Sequence, residues 1–169
     1  TPTTSSAASD VYKRQLTQLS ILNRVPTRGR LVGFQMVRFS DLGIEPTLVS
    51  CLADQGITEP FEVQIEAIPS AMEGRDICCR APTGSGKTLA FGLPLISRTV
   101  PAKPKKPTAL ILTPTRELAE QIRNVLDPLA WDSRMKVLSV YGGTSYGKQL
   151  RGLEKGVEIL VACPGRLLD

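Results

Sequence analysis

The chain has 169 residues, 41% of them hydrophobic, 5% aromatic and 22% charged, with a net charge of +5. This length and apolar content suit one folded domain plus a tail, and no apolar run approaches the roughly twenty residues that cross a bilayer, so the expectation is a soluble, cytoplasmic protein. Of the 21 basic and 16 acidic residues, five basic (Lys13, Arg14, Arg24, Arg28, Arg30) and one acidic (Asp10) fall in residues 1–35, leaving sixteen and fifteen for the remainder. Bulk charge therefore gives no argument that the folded part binds a polyanion.

In chain order, residues 1–35 are basic, Ser/Thr-rich and weakly periodic, and they close with Pro26, Gly29 and Gly33. Three readings are open: a disordered tail, an organelle transit peptide, or an artefactual leader before a natural start at Met36. From residue 36 to residue 169 helix and strand signals alternate. Ile44, Leu48, Cys51 and Leu52 predict a first helix. Ile65, Ile68 and Met72 predict a second, which Pro69 should kink or split because it lacks an amide hydrogen. Residues 76–79 read as a short strand, and Leu89, Leu93 and Ile96 as one face of a third helix. Residues 101–107, three prolines among three lysines, are expected to form an exposed, stiffened loop.

Three further strands are expected at Ala109–Leu112, Val137–Val140 and residues 157–162, with intervening helices, one carrying Leu118, Ile122, Val125 and Leu129 on one face. Nearly continuous apolar strands indicate burial on both faces. The alternating order predicts an α/β fold, a doubly wound parallel sheet with its ligands at the carboxyl ends of the strands. The cysteines, Cys51, Cys78, Cys79 and Cys163, form no C-x-x-C pair and are expected as reduced core thiols.

The most informative stretch is Arg80-Ala81-Pro82-Thr83-Gly84-Ser85-Gly86-Lys87-Thr88, between a strand-like run and a helical pattern. Glycines there let successive amides converge on phosphate oxygens beside a helix N-terminus. Thr83, Gly84, Ser85 and Gly86 form the cradle, Lys87 reaches the β- and γ-phosphates, and the Thr88 hydroxyl is the candidate ligand for Mg²⁺. Lys87 and Thr88 are also the candidate catalytic residues. Ala81 stands where the strict pattern has glycine.

Phosphate binding does not choose among NTPases, and further segments carry that choice. Phe39 precedes Gly56 by seventeen positions, and Gly56-Ile57-Thr58-Glu59-Pro60-Phe61-Glu62-Val63-Gln64 leads into the second helix. Pro114-Thr115-Arg116-Glu117-Leu118-Ala119, Gly142-Gly143 and Pro164-Gly165-Arg166 each follow a predicted strand. Together these resemble the first RecA-like domain of a DEAD-box ATP-dependent RNA helicase, from about Phe39 to the last residue.

A carboxamide both donates and accepts, matching an adenine edge, and an aromatic ring offers a face to a base, so Gln64 and Phe39 are candidate ATP contacts. Taken alone, Gln64 reads first as an ordinary polar residue opening a helix. Phe61 and Glu62 occupy places where the family has a polar residue and proline. Segments ending successive parallel strands share one rim, where Pro114, Thr115, Arg116, Gly142, Gly143, Pro164, Gly165 and Arg166 are candidate contacts to an RNA sugar-phosphate backbone, without base identity. Cys163 stands where the family has threonine.

The resemblance implies ATP and Mg²⁺ as cofactors, single-stranded or duplex RNA and a second RecA-like domain as partners, and local unwinding of short duplexes. It also implies that the hydrolytic Asp-Glu-Ala-Asp carboxylates lie past Asp169, so this piece alone is expected to be inactive. The competing expectations are a non-catalytic nucleotide- or RNA-binding fragment, or another P-loop NTPase such as a DNA translocase.

Overall fold

The computed structural model describes residues 37–168; the readings made for residues 1–35 and for Met36 lie outside them. After a 3₁₀ turn at Phe39–Leu42 come α1 (Pro46–Asp54), α2 (Glu62–Met72), α3 (Lys87–Arg98), β1 (Ala109–Leu112), α4 (Arg116–Asp132), β2 (Val137–Val140), α5 (Tyr146–Glu154), β3 (Ile159–Ala162) and α6 (Pro164–Leu167). The three strands form one parallel sheet in the order β1-β3-β2, with Ala109 and Val137 both in register with Ile159.

Central β3 is buried along its whole length, and its side chains serve two cores. Ile159 and Val161 join the larger one with Ala119, Ile122, Leu126 and Leu129 of α4, Leu93 and Ile96 of α3, Leu48 and Leu52 of α1, and Ile68 of α2. Leu160 and Ala162 point to the opposite face, against Val140 with Leu138 and Leu153. Helices therefore cover both faces, as a doubly wound α/β sheet requires. Each fully buried leucine or isoleucine contributes about 1.5–3 kcal/mol of apolar burial. On the α5 side the cover stops short of β1, where Leu110 and Leu112 stay half exposed.

Four expectations need correction. Residues 76–79 form no strand, and Cys78 and Cys79 are exposed rather than core thiols. An extended segment gains strand identity only from lateral hydrogen bonds, and no described strand lies beside this one. The buried face of α4 is Ala119, Ile122, Leu126, Leu129 and Ala130, while Leu118 and Val125 are over a third exposed. Small Ala119 and Ala130 let α4 lie close to the sheet, so the helix is turned from the face marked by its larger side chains. Pro69 lies inside α2 without splitting it, the helix running unbroken to Met72 and forgoing only the bond that the missing amide would have made.

The loop at residues 101–107 is tied down as well as exposed. Lys105 donates its amide to the Leu153 carbonyl at 2.8 Å and pairs with Glu154 at 3.1 Å. Glu158 accepts the Ala102 amide at 3.2 Å and the Lys136 amide at 2.9 Å. Burial disfavours the Glu158 carboxylate, but these backbone donors outweigh it and hold its pKa below the usual range. Among the described residues no helix is long and apolar enough to cross a membrane.

Candidate functional site

Residues 80–86 lead from the unpaired segment into α3. Gly84 and Gly86 both adopt φ of +82°, the left-handed region that a Cβ disfavours, so the chain curls back on itself. Gly86 is the N-cap of α3 and Lys87 its first residue. Ser85 Oγ donates to the Pro82 carbonyl at 2.8 Å. Lys87 Nζ donates to the carbonyls of Ala81 at 2.6 Å and Pro82 at 2.5 Å, which holds the ammonium over the hollow of its own loop. The first amides of a helix have no intrahelical acceptor, and here they adjoin that ammonium. A curled backbone, a lysine and the Thr88 hydroxyl at one helix N-terminus fit a polyphosphate with its Mg²⁺. Thr83 and Gly84 are exposed; Ser85, Gly86, Lys87 and Thr88 are half-buried.

Gln64 ties a second segment to this loop. Its side chain is 2% exposed, Nε2 donates to the Gly86 carbonyl at 3.0 Å, and Oε1 accepts the Phe61 amide at 2.9 Å. The second bond is half of a capping box at the start of α2, and the first fixes that helix end against the phosphate loop. Phe39 is elsewhere. It is 1% exposed and packed in the main core with Leu42 and Ile44, so it presents no ring face to a ligand, contrary to the role expected from its spacing. Its place in a 3₁₀ turn that lies on the core draws the ring inward.

The segments that follow the three strands meet at one turn. Thr115 caps α4 by accepting the Leu118 amide at 3.2 Å, which aligns exposed Arg116 with the first helical turn. Arg116 Nη1 lies 3.4 Å from where a Cβ on Gly143 would be. From the other side Arg166 Nη1 donates to the Thr144 carbonyl at 3.5 Å and to Gln149 Oε1 at 3.4 Å, and its guanidinium sits 5.6 Å from the centre of the Tyr146 ring. Two arginines thus flank the turn at residues 142–144, and Pro114, Gly142, Pro164 and Gly165 are exposed around it. Cys163 sits beneath, its Sγ 3.7 Å from the buried Thr113 hydroxyl, and its amide donates to the Val140 carbonyl at 3.0 Å.

The sequence did not disclose the network supporting this rim. Ser139 Oγ and Tyr141 Oη, the latter at 2.9 Å, both donate to Glu120 Oε1, and Arg123 Nε donates to Glu120 Oε2 at 3.2 Å. The Ser139 bond chiefly, then those of Tyr141 and Arg123, hold the Glu120 carboxyl below its ordinary pKa against the opposing effect of burial. The same carboxylate pushes the Tyr141 phenol up. Ser139 and Tyr141 lie nineteen and twenty-one residues from Glu120 along the chain, so no local pattern announces them. Two surface clefts, of about 330 and 340 Å³, flank Trp131 at the opposite, amino ends of the strands and include none of the candidate site residues.

Comparison with known proteins bears on the same segments. The family model described as DEAD/DEAH box helicase matches residues 61–169. RNA helicase CrhR of Synechocystis is 46% identical over 131 residues, covering 78% of this chain and 26% of its own length. ATP-dependent RNA helicase CshA of Listeria monocytogenes is 42% identical over 134 residues, 79% of this chain and 26% of its own length. Among solved structures, the RNA helicase Prp28 from Chaetomium thermophilum bound to ADP superimposes with a TM-score of 0.73 at 40% identity, over 84% of this chain and 36% of that one. The chain thus spans about a quarter of the length of these curated relatives.

Proposed function

The chain belongs to the DEAD/DEAH box helicase family, and we propose that it is the nucleotide-gripping part of an ATP-dependent RNA helicase that opens short duplexes. The observation that carries this reading is the Gln64–Gly86 bond, which joins a carboxamide able to read a purine edge to the loop able to hold its phosphates. The loop amides and Lys87 hold the polyphosphate, and Thr88 is the hydroxyl suited to Mg²⁺, which when bound neutralises phosphate charge. Bonds to the Gly86 carbonyl and the Phe61 amide fix which way the Gln64 carboxamide points and leave it one further amide proton and one further oxygen lone pair; these select adenine over guanine, whose Watson–Crick edge has the reverse donor and acceptor order.

RNA lies along the turn at residues 142–144, its phosphates met by Arg116 and Arg166 and its backbone admitted closely by Gly142, Gly143 and Gly165. The relatives named above are RNA helicases in name, and the paired arginines support the same polymer here. In the intact protein a second RecA-like domain completes both sites, and closure of the two domains on ATP bends one RNA strand out of its duplex. Calorimetric titration with ATP and GTP at equal Mg²⁺ tests the reading: ATP binds more tightly, and equal affinities would discard the purine-reading role of Gln64.

A further inference from the structure

Phe61 is the N-cap residue of α2, a position at which Ser, Thr, Asp or Asn would stabilise the helix by capping an amide and at which phenylalanine makes no side-chain cap. Its ring is 58% exposed, although its backbone is fixed by the bond from its amide to Gln64 Oε1. The ring is also held against the phosphate loop, since Phe61 Cδ2 lies 2.7 Å from where a Cβ on Gly86 would be. One turn of chain thus carries a satisfied carboxamide and an open aromatic face, both set beside the residue preceding Lys87. Phe39, with 1% exposure, offers no such face.

Resting on the adenine-nucleotide reading above, the geometry points to Phe61 as the stacking surface for the nucleobase, the place that spacing alone assigns to Phe39. An aromatic face attracts any base by stacking, without hydrogen-bond readout. Phe61 therefore supplies affinity for the base, and Gln64 supplies the choice of base. The ring touches the loop through glycine, so its removal leaves the phosphate-binding amides and Lys87 in place.

The test compares ADP with inorganic tripolyphosphate, each titrated calorimetrically into the full chain and into Phe61→Ser and Phe61→Trp variants. Serine at this position is a favoured cap, which protects the start of α2. Phe61→Ser is expected to weaken ADP at least about fivefold, the low end of what base–aromatic stacking contributes, and to leave tripolyphosphate unchanged. Phe61→Trp is expected to restore ADP affinity to the wild-type level or above. Unchanged ADP affinity in Phe61→Ser, or an equal loss of both ligands, overturns the inference while leaving the adenine-nucleotide reading standing. A wild-type chain that binds ADP no more tightly than GDP instead overturns the purine reading of Gln64, and one that gains nothing from the base over tripolyphosphate overturns both.

Discussion

Replacing Gly86 with alanine strikes the point where the two nucleotide segments meet. The residue sits at φ +82°, and an added Cβ would collide with Gln64 Nε2 and lie 2.7 Å from Phe61 Cδ2. The left-handed backbone alone costs an L-residue about 1–2 kcal/mol. Displacing the Gln64 amide from the Gly86 carbonyl leaves a group that is 2% exposed without its partner, a further cost of about 1–3 kcal/mol. The sum is a destabilisation of about 2–5 kcal/mol. Gly84 is the internal control, for it has the same φ of +82° but open space at its Cβ, so Gly84→Ala carries the backbone cost alone. Urea unfolding followed by circular dichroism gives both values. If the two substitutions cost the same to within about 0.5 kcal/mol, the coupling through Gln64 is refuted.

Arg116→Gln should weaken single-stranded RNA binding to a similar degree for all sequences and lower the slope of log affinity against log salt by about one; an unchanged slope in filter-binding or anisotropy titrations would remove Arg116 from the phosphate contacts. Glu120→Gln tests the network under the rim through pH. Because the folded-state pKa of Glu120 is depressed, its contribution is present above the unfolded value of about 4.3 and fades as pH falls through the folded one. The variant should therefore be less stable than wild type at neutral pH, with a gap that narrows on acidification below about pH 4; a gap independent of pH would show that the carboxylate charge is immaterial.

What could be read from the residues follows from the range of the forces involved. The parallel strands β1, β2 and β3 were legible as short apolar runs, which burial on both faces explains for β3 alone, and α3 because Leu89, Leu93 and Ile96 repeat at the helical period. The phosphate loop was legible because its glycines answer a backbone demand met within nine residues. Residues 76–79 carry the composition of a strand, but pairing is decided by what lies alongside, and composition cannot report that. Phe39 misled for a related reason: spacing locates it along the chain, whereas the 3₁₀ turn decides which way its ring points. Phe61 did leave a trace, an aromatic residue at a capping position, but its closeness to Gly86 depends on the fold and not on the local sequence. Glu120, Ser139 and Tyr141 left none, since their bonds bridge two elements.

The ammonium of Lys87 already rests on two oxygens of its own loop, at 2.6 and 2.5 Å. Two of the three N–H donors of that ammonium are thus engaged before any nucleotide arrives, so an incoming phosphate takes the third or replaces a resident carbonyl. Where it replaces a carbonyl, the gain is the surplus of the incoming oxygen over the resident one. A lone weak anion offers little such surplus, and a chain of phosphates that also engages the helix amides offers far more.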